Sequence, residues 1–407
     1  MKKIVVLHAN NTYNYGSFMM LINFIHYLYL MSNMEVSFLV ELDSNDDLKR
    51  LKKELKNNII VERFKITKKS KGNSLISKVK NLKIRIINHV NDILFSNLSA
   101  LTILGGDDLS EYYSKWEIIV ELNKIHRLSK KVPVFLVGQT IGPFHFWREN
   151  LAKIYLKNAH IYLRDSLCAE YLEKKLKLND FFLSSDLAFL HLSNQTEDSS
   201  FYRQYNLKSN DYIILVPSGS FMQYTNKKEI YVSSWVEIVH QILNNPKLRN
   251  KKIVLLAHVL KPQEVDDRLI INDIRSLLSE KELQRIVVIN EELLPSEARD
   301  IIGNGLFTIT GRMHAAISSF QMSKPAISLS YSVKYEGIIG KDLDMKDLIV
   351  CARGNNHWES GNVVKETLVK ISFILNHYEM LTNKIEKNVG RLKELSITQI
   401  NDIYAKI

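Results

Sequence analysis

The sequence predicts an α/β protein of two doubly wound, Rossmann-like domains facing a central cleft, followed by C-terminal helices. Three observations predict it. Short apolar runs alternate with longer amphipathic segments along the chain, the rhythm of repeated strand–helix–strand units. Many of these runs are apolar throughout, as parallel strands covered on both faces must be. The rhythm pauses at "HLSNQTEDSS" (191–200), a polar and acidic stretch with the composition of a linker, and then restarts. At 407 residues the chain also exceeds one ordinary core. The expected boundaries are 1–195 for a first domain, 205–345 for a second, and 346–407 for a helical segment.

"KIVVLHA" (3–9) reads as the first strand, with a helical run at 16–31 after it. "EVSFLVEL" (35–42) and "NIIVERF" (58–64) are the second and third strands. "SLISKVKNLKIRIINHVNDILF" (74–95) spaces its apolar residues at the helical period and leaves a basic opposite face. "ALTILGG" (100–106), "VPVFLVGQ" (132–139), "AHIYLRD" (159–165) and "DFFLSSD" (180–186) complete the first series. The second series is "DYIILVPSG" (211–219), "KKIVLLAH" (251–258), "QRIVVIN" (284–290), "GLFTITG" (305–311) and "PAISLSY" (325–331). Residues 358–405 read as two helices.

Composition narrows the class. Hydrophobic residues at 45% and charged residues at 24% suit a soluble globular protein. Cys168 and Cys351 form no disulfide framework or metal motif and fit a reducing compartment. The apolar run of "MKKIVVLHAN" stops at His8, too short for a signal peptide. No run approaches the roughly 18 apolar residues of a membrane span. A cytoplasmic protein, able to sit peripherally at the inner membrane face, is expected. Residues 49–90 hold 14 Lys/Arg against Glu54 and Glu62, so the net charge of +11 is concentrated in one region. That region is either a solvated face or a patch for nucleic acid, anionic lipid or a phosphorylated substrate. No nucleic-acid motif accompanies it, and Phe64 and Phe95 are its only nearby aromatics, so nucleic acid is set aside.

In doubly wound sheets ligands bind beyond the carboxyl ends of the strands, so polar residues just after strands are the site candidates. "ITGRMHAAISSF" (309–320) is the strongest segment. Gly311 permits a turn, Arg312 supplies a planar fork, and His314 can donate or shuttle a proton. A helix starting near Met313 adds amide donors and its dipole. "YSVKYEG" (331–337) brings Lys334 from the next loop, and the three cations suit a small polyanion. "ILGGDD" places Asp107 as a base or hydroxyl binder, or as a turn and helix cap. "VGQTIGPF" offers Gln139. "YLRDS" offers Arg164, which can grip an anion bidentately or pair with Asp165. Asp186 ends "SSD". Ser218 lies in "VPSGS", a turn able to form an anion nest. His258 ends "LLAH", as a ligand or as a structural histidine. No cluster has metal-ligand spacing.

These segments resemble the polysaccharide pyruvyl transferase family. The family's most specific mark is an Arg-x-His-Ala segment followed, after the next strand, by a Tyr/Lys segment; here these are "GRMHA" (311–315) and "YSVKY" (331–335). "LGGDD", "GQTIGPF", "LRDSLCAEYL" and "SDLAFL" match in family order, over roughly residues 8–340. Two first-domain segments depart from the pattern. "NYGSF" has Ser17 after Gly16 where the family often has aspartate, and "GGD" stands for a glycine triplet.

The resemblance implies a GT-B-like fold, with acceptor recognition on the first domain and phosphoenolpyruvate on the second. It implies transfer of pyruvate from phosphoenolpyruvate to two hydroxyls of a sugar in a capsule or exopolysaccharide repeat-unit precursor. The products would be a cyclic pyruvate ketal and phosphate. His314, Arg312 and Asp107 are then expected to be catalytic: His314 protonates the leaving phosphate, Arg312 neutralises the donor, and Asp107 acts as base or orients hydroxyls. Arg164, Lys334, Gln139, His258, Asp186 and Ser218 are expected to bind substrate, beside Arg312 and His314. No metal and no cofactor are expected, phosphoenolpyruvate being a substrate. A lipid-diphosphate-linked oligosaccharide is one acceptor the resemblance allows; it would give the 49–90 region an anionic partner at the inner membrane face. The alternative is a GT-B glycosyltransferase of surface polysaccharide synthesis that uses a sugar nucleotide.

Overall fold

A computed structural model describes residues 1–55, 59–65, 98–106, 109–111, 115–196 and 199–407. The helix expected at 74–95, Asp107 and most of the basic 49–90 region lie outside the described residues. The chain divides into two compact units. One comprises Met1–Thr12, Phe24–Ser185 and Ile397–Ile407; the other comprises Tyr13–Asn23 and Asp186–Ser396.

The first unit is built on a seven-stranded sheet. Its strands are β1 (Lys2–Leu7), β2 (Val36–Glu41), β3 (Val61–Phe64), β4 (Ala100–Leu104), β5 (Val134–Gln139), β6 (His160–Leu163) and β7 (Phe182–Leu183). They lie in the order β3-β2-β1-β4-β5-β6-β7, and every pairing is parallel. The second unit carries a six-stranded sheet of β8 (Tyr212–Val216), β9 (Lys252–Leu256), β10 (Ile286–Ile289), β11 (Thr308–Thr310), β12 (Ala326–Ser330) and β13 (Ile349–Cys351). Its order is β10-β9-β8-β11-β12-β13, again all parallel. Both sheets are doubly wound. The winding reverses between β1 and β4 in one and between β8 and β11 in the other, and such reversals are where this fold places ligands.

Sequence explains the layers. β4, β5, β8 and β12 are buried at every residue, which matches their predominantly apolar runs. The helix Glu117–Leu128 buries Ile118, Leu122, Ile125 and Leu128, a stripe at three- and four-residue spacing. That stripe packs with Val5, Leu101, Val134 and Leu163 in the first unit's core. Among the described residues no helix is long and apolar enough to cross a membrane.

The structure differs from the sequence reading at the margins. β7 is two residues long, and β13 was not expected at all. The units also interleave along the chain. Tyr13–Asn23 belongs to the second unit because both its backbone and its side chains are bound there: Asn14 bridges Val259, the Tyr15 N–H donates to the His258 carbonyl at 3.2 Å, and the Leu293 N–H donates to Tyr15 Oη at 2.8 Å. Residues 346–407 are not a body of their own. β13 completes the second sheet, whereas the last eleven residues join the first unit, where Tyr162 Oη donates to Asp402 Oδ2 at 2.6 Å.

Candidate active site

In the second unit, β8 and β11 lie side by side with Thr310 opposite Val216. The Gly311 N–H donates to the Val216 carbonyl at 2.9 Å, which draws together the two loops leaving the reversal point. A β-carbon on Gly311 would stand 3.1 Å from both Ser218 Cβ and Tyr224 Oη, so glycine permits this approach. The Gly311 carbonyl accepts from the buried hydroxyls of Tyr224 and Tyr335. The helix Met313–Gln321 starts directly after Arg312.

Arg312 departs from the expectation of a fork aimed at an anion. Its Nε and Nη2 donate to Asp267 Oδ1 at 3.1 and 2.7 Å, Nη2 to the Val265 carbonyl at 2.7 Å, and Nη1 to Ser220 Oγ at 3.1 Å. Burial works against its charge, and Asp267 more than restores it, so the guanidinium stays protonated. Asp267 is fully buried and is the hub of the site. Besides Arg312, it accepts from the Gly219 N–H at 2.7 Å and from the His258 and Val259 N–H groups at 3.0 and 2.8 Å. One carboxylate thereby fixes the loops after β8, β9 and β11.

His314 Nε2 lies 3.3 Å from Asp186 Oδ2, an ion-pair distance without hydrogen-bond alignment. Its ring rests on the backbone of Gly16: a β-carbon there would stand 2.3 Å from His314 Nδ1. Gly16 opens the helix Tyr15–Met31, so two helix N-termini flank this imidazole. His258 is buried, edge-on to Tyr15 at 5.4 Å between ring centres. Among the described residues its Nε2 has no hydrogen-bond partner. Burial pushes its imidazole well below the ordinary range, and His314, Arg312 and Arg299 push the same way, so it is neutral. Arg299, also buried, donates to the carbonyls of Ala188 and Leu190 at 2.7 and 2.9 Å and so pins the segment that carries Asp186.

Ser218 lies against Gly311, its Oγ accepting from the Ser220 N–H at 3.2 Å. Lys334 Nζ donates to Tyr331 Oη at 2.9 Å, beside the tyrosines that hold Gly311. Six of the expected residues therefore belong to the second unit: Asp186, Ser218, His258, Arg312, His314 and Lys334. Asp267, Arg299 and the Gly16 contact were missed. The only sequence sign was the Asp pair of "VDDRL" at a helix start.

Gln139 and Arg164 lie in the first unit, both buried. Gln139 Nε2 donates to the Ile103 carbonyl at 3.0 Å, and Arg164 Nε donates to Thr140 Oγ1 at 2.9 Å. Thr140 in turn donates to Asp165 at 3.0 Å, so these residues brace one another across the ends of β5 and β6. Asp107 lies outside the described residues.

Two doubly wound parallel sheets, with polar loops gathered at a reversal of the winding, define a GT-B-like fold. The chain matches the UDP-GlcNAc 2-epimerase of Neisseria meningitidis bound to UDP-GlcNAc with a TM-score of 0.62 at 10% identity, covering 99% of each chain. It matches a UDP-glucosyltransferase of Polygonum tinctorium with a TM-score of 0.59 at 11% identity, covering 100% of this chain and 98% of that one. At such identities the likeness is of fold alone. The family is set by sequence. The model of the polysaccharide pyruvyl transferase family matches residues 14–333, and the chain belongs to that family. The amylovoran biosynthesis protein AmsJ of Erwinia amylovora is 24% identical over 378 residues, 87% of each chain. The protein is a transferase of pyruvyl groups in polysaccharide biosynthesis.

Proposed function

We propose that the pyruvyl donor is phosphoenolpyruvate, held by the second unit, and that the product is a cyclic ketal on two hydroxyls of a repeat-unit sugar. The observation that carries this reading is the turn at Gly311–His314, with His258 and two helix N-termini gathered at the reversal of the second sheet. Phosphoenolpyruvate brings a carboxylate and a phosphate. The helix N-termini and Lys334 meet that charge. The neutral His258 offers a hydrogen bond that does not depend on its own ionisation. Arg312, already bound to Asp267, holds the loops in register and turns Nη1 toward Ser220 at the rim. His314, backed by Asp186, delivers the proton that the departing phosphate needs.

The acceptor falls to the first unit in this reading, with Gln139, Arg164 and Asp107 near the ends of its strands. A lipid-diphosphate-linked precursor fits the basic 49–90 region, which would rest on the anionic membrane that carries it. No cofactor enters the scheme.

The test is a thermal-shift titration with phosphoenolpyruvate, inorganic phosphate and UDP-sugars. A ligand at one hundred times its Kd stabilises by about 2.7 kcal/mol. A selective rise with phosphoenolpyruvate, lost in His314→Gln and weakened in Lys334→Met, is expected. A rise with a UDP-sugar alone would replace this reading with sugar-nucleotide glycosyl transfer.

A further inference from the structure

In the first unit two helices lie side by side, Glu117–Leu128 after β4 and Trp147–Leu156 after β5. Buried Ile118, Leu122, Ile125, Ala152 and Leu156 join both to one core, and His126 stacks on Tyr155 between them at 4.5 Å between ring centres. Where the helices begin, large apolar side chains face water. Trp116 is 78% exposed, Phe146 83% and Trp147 55%, and Val120 and Ile154 are exposed further along the same helices. The structure holds the aromatic pair outward. The almost wholly buried carboxyl of Glu111 accepts from the His145 N–H at 2.8 Å and from Arg148 Nε and Nη2 at 2.7 and 2.8 Å, which clamps the residues on either side of Phe146 and Trp147. Phe146 itself has φ 56° and ψ −138°, a region that residues with a side chain seldom occupy. The surroundings are basic. Residues 111–131 and 145–157 hold eight Lys/Arg against Glu111, Glu117, Glu121 and Glu149. Trp116, Val120 and Arg127 recur at helical spacing on one outward face, as do Trp147, Ile154 and Lys157 on the other, and Arg127 and Lys157 are both exposed.

We propose that the outward faces of these two helices, with Phe146 at their tip, form a docking surface for an anionic lipid bilayer. The aromatic rings enter the interface between headgroups and acyl chains, and the lysines and arginine meet lipid phosphates. Charge selects this occupant. A second copy of the chain would bring the same positive excess against itself, and a neutral saccharide would leave that excess unused. A bilayer uses both the apolar side chains and the cations around them. The inference goes beyond the reading above: it needs neither the donor nor a lipid-linked acceptor, and its residues lie apart in sequence from the 49–90 region.

The tryptophans supply the test. The chain has four, and Trp235 and Trp358 are buried in the second unit, so changes at the surface are read from Trp116 and Trp147. The full chain is titrated with vesicles of phosphatidylglycerol and phosphatidylethanolamine in equal parts, with and without bromine on the acyl chains. On binding, tryptophan emission should move to shorter wavelength and be quenched by the brominated lipid. Salt should lower the fraction bound without changing the emission of what stays bound. Phe146→Gly combined with Trp147→Ser should weaken binding roughly 100-fold, about tenfold for each side chain. The melting temperature of that variant should hold or rise, because glycine relieves the backbone at 146. Trp116→Phe combined with Trp147→Phe should still bind, with no shift in emission. Binding with unshifted, unquenched emission would leave the contact to the 49–90 region alone and overturn the proposal. Undiminished binding of the Phe146→Gly, Trp147→Ser variant, or no binding by the wild type, would overturn it as well. An emission shift without vesicles, on adding soluble oligosaccharide or on concentrating the protein, would give the surface to a sugar or to a second copy instead.

Discussion

At the scale of single residues, the site is a set of short side chains held by partners far away in sequence. His314 rests on Gly16 and faces Asp186. His314→Gln should therefore keep its fold by circular dichroism and lose about 100-fold or more in phosphate release. Gly16→Ala tests the same imidazole from behind. A methyl group 2.3 Å from Nδ1 must displace the ring, so turnover should fall at least about tenfold with little change in melting temperature. Asp267→Asn leaves a guanidinium without its counter-charge. It should cost about 3 kcal/mol in urea unfolding, near the low end for such pairs because Arg312 is 16% exposed. Arg312 and His314 were legible because they follow a strand, a glycine and a helix start in one short segment. Asp267 and Arg299 were not, because their importance comes from loops that only folding brings to them.

At the scale of elements, every strand but β13 was legible as a run, though the shortest were read too long. A strand buried on both faces is mostly apolar, and that pattern survives in the sequence as a run even where a Thr or Ser interrupts it, as Thr102 does in β4 and Ser328 in β12. The edge strands β7 and β13 are short and take their definition from a single neighbour, so "DFFLSSD" overstates a two-residue strand and "LIVC" reads as nothing in particular. Helix starts carry a comparable long-range device. Arg148, in the first turn of Trp147–Leu156, grips Glu111 with two bonds at 2.7 and 2.8 Å. The Arg148 hydrogen bond draws the Glu111 carboxyl down from 4.5 to about 2; burial opposes it, and His145 assists it. A carboxyl depressed in the folded state stabilises fully above its unfolded pKa and loses that contribution as pH falls toward 2. Arg148→Leu should therefore lower stability at neutral pH and flatten its dependence on pH between about 4.5 and 2, read by urea titration at stepped pH.

At the scale of the whole molecule, the net charge of +11 is concentrated around residues 49–90. If that region rests on a membrane that carries the acceptor, binding to vesicles containing anionic lipid should be strong at low salt and fall steeply by 0.5 M salt. Equal binding to neutral vesicles would defeat the idea. The interleaving of the units has a different kind of consequence, for descent rather than for chemistry. A recombination near codon 200 that replaced the second half of the gene with a relative's would leave residues 13–23 behind. The incoming loops would then have to accept Tyr15 and the Gly16 seat from the old lineage. Swapping the two ends of this gene is therefore no free exchange of modules. Eleven codons near the start must travel with the far half, or His314 arrives without its floor.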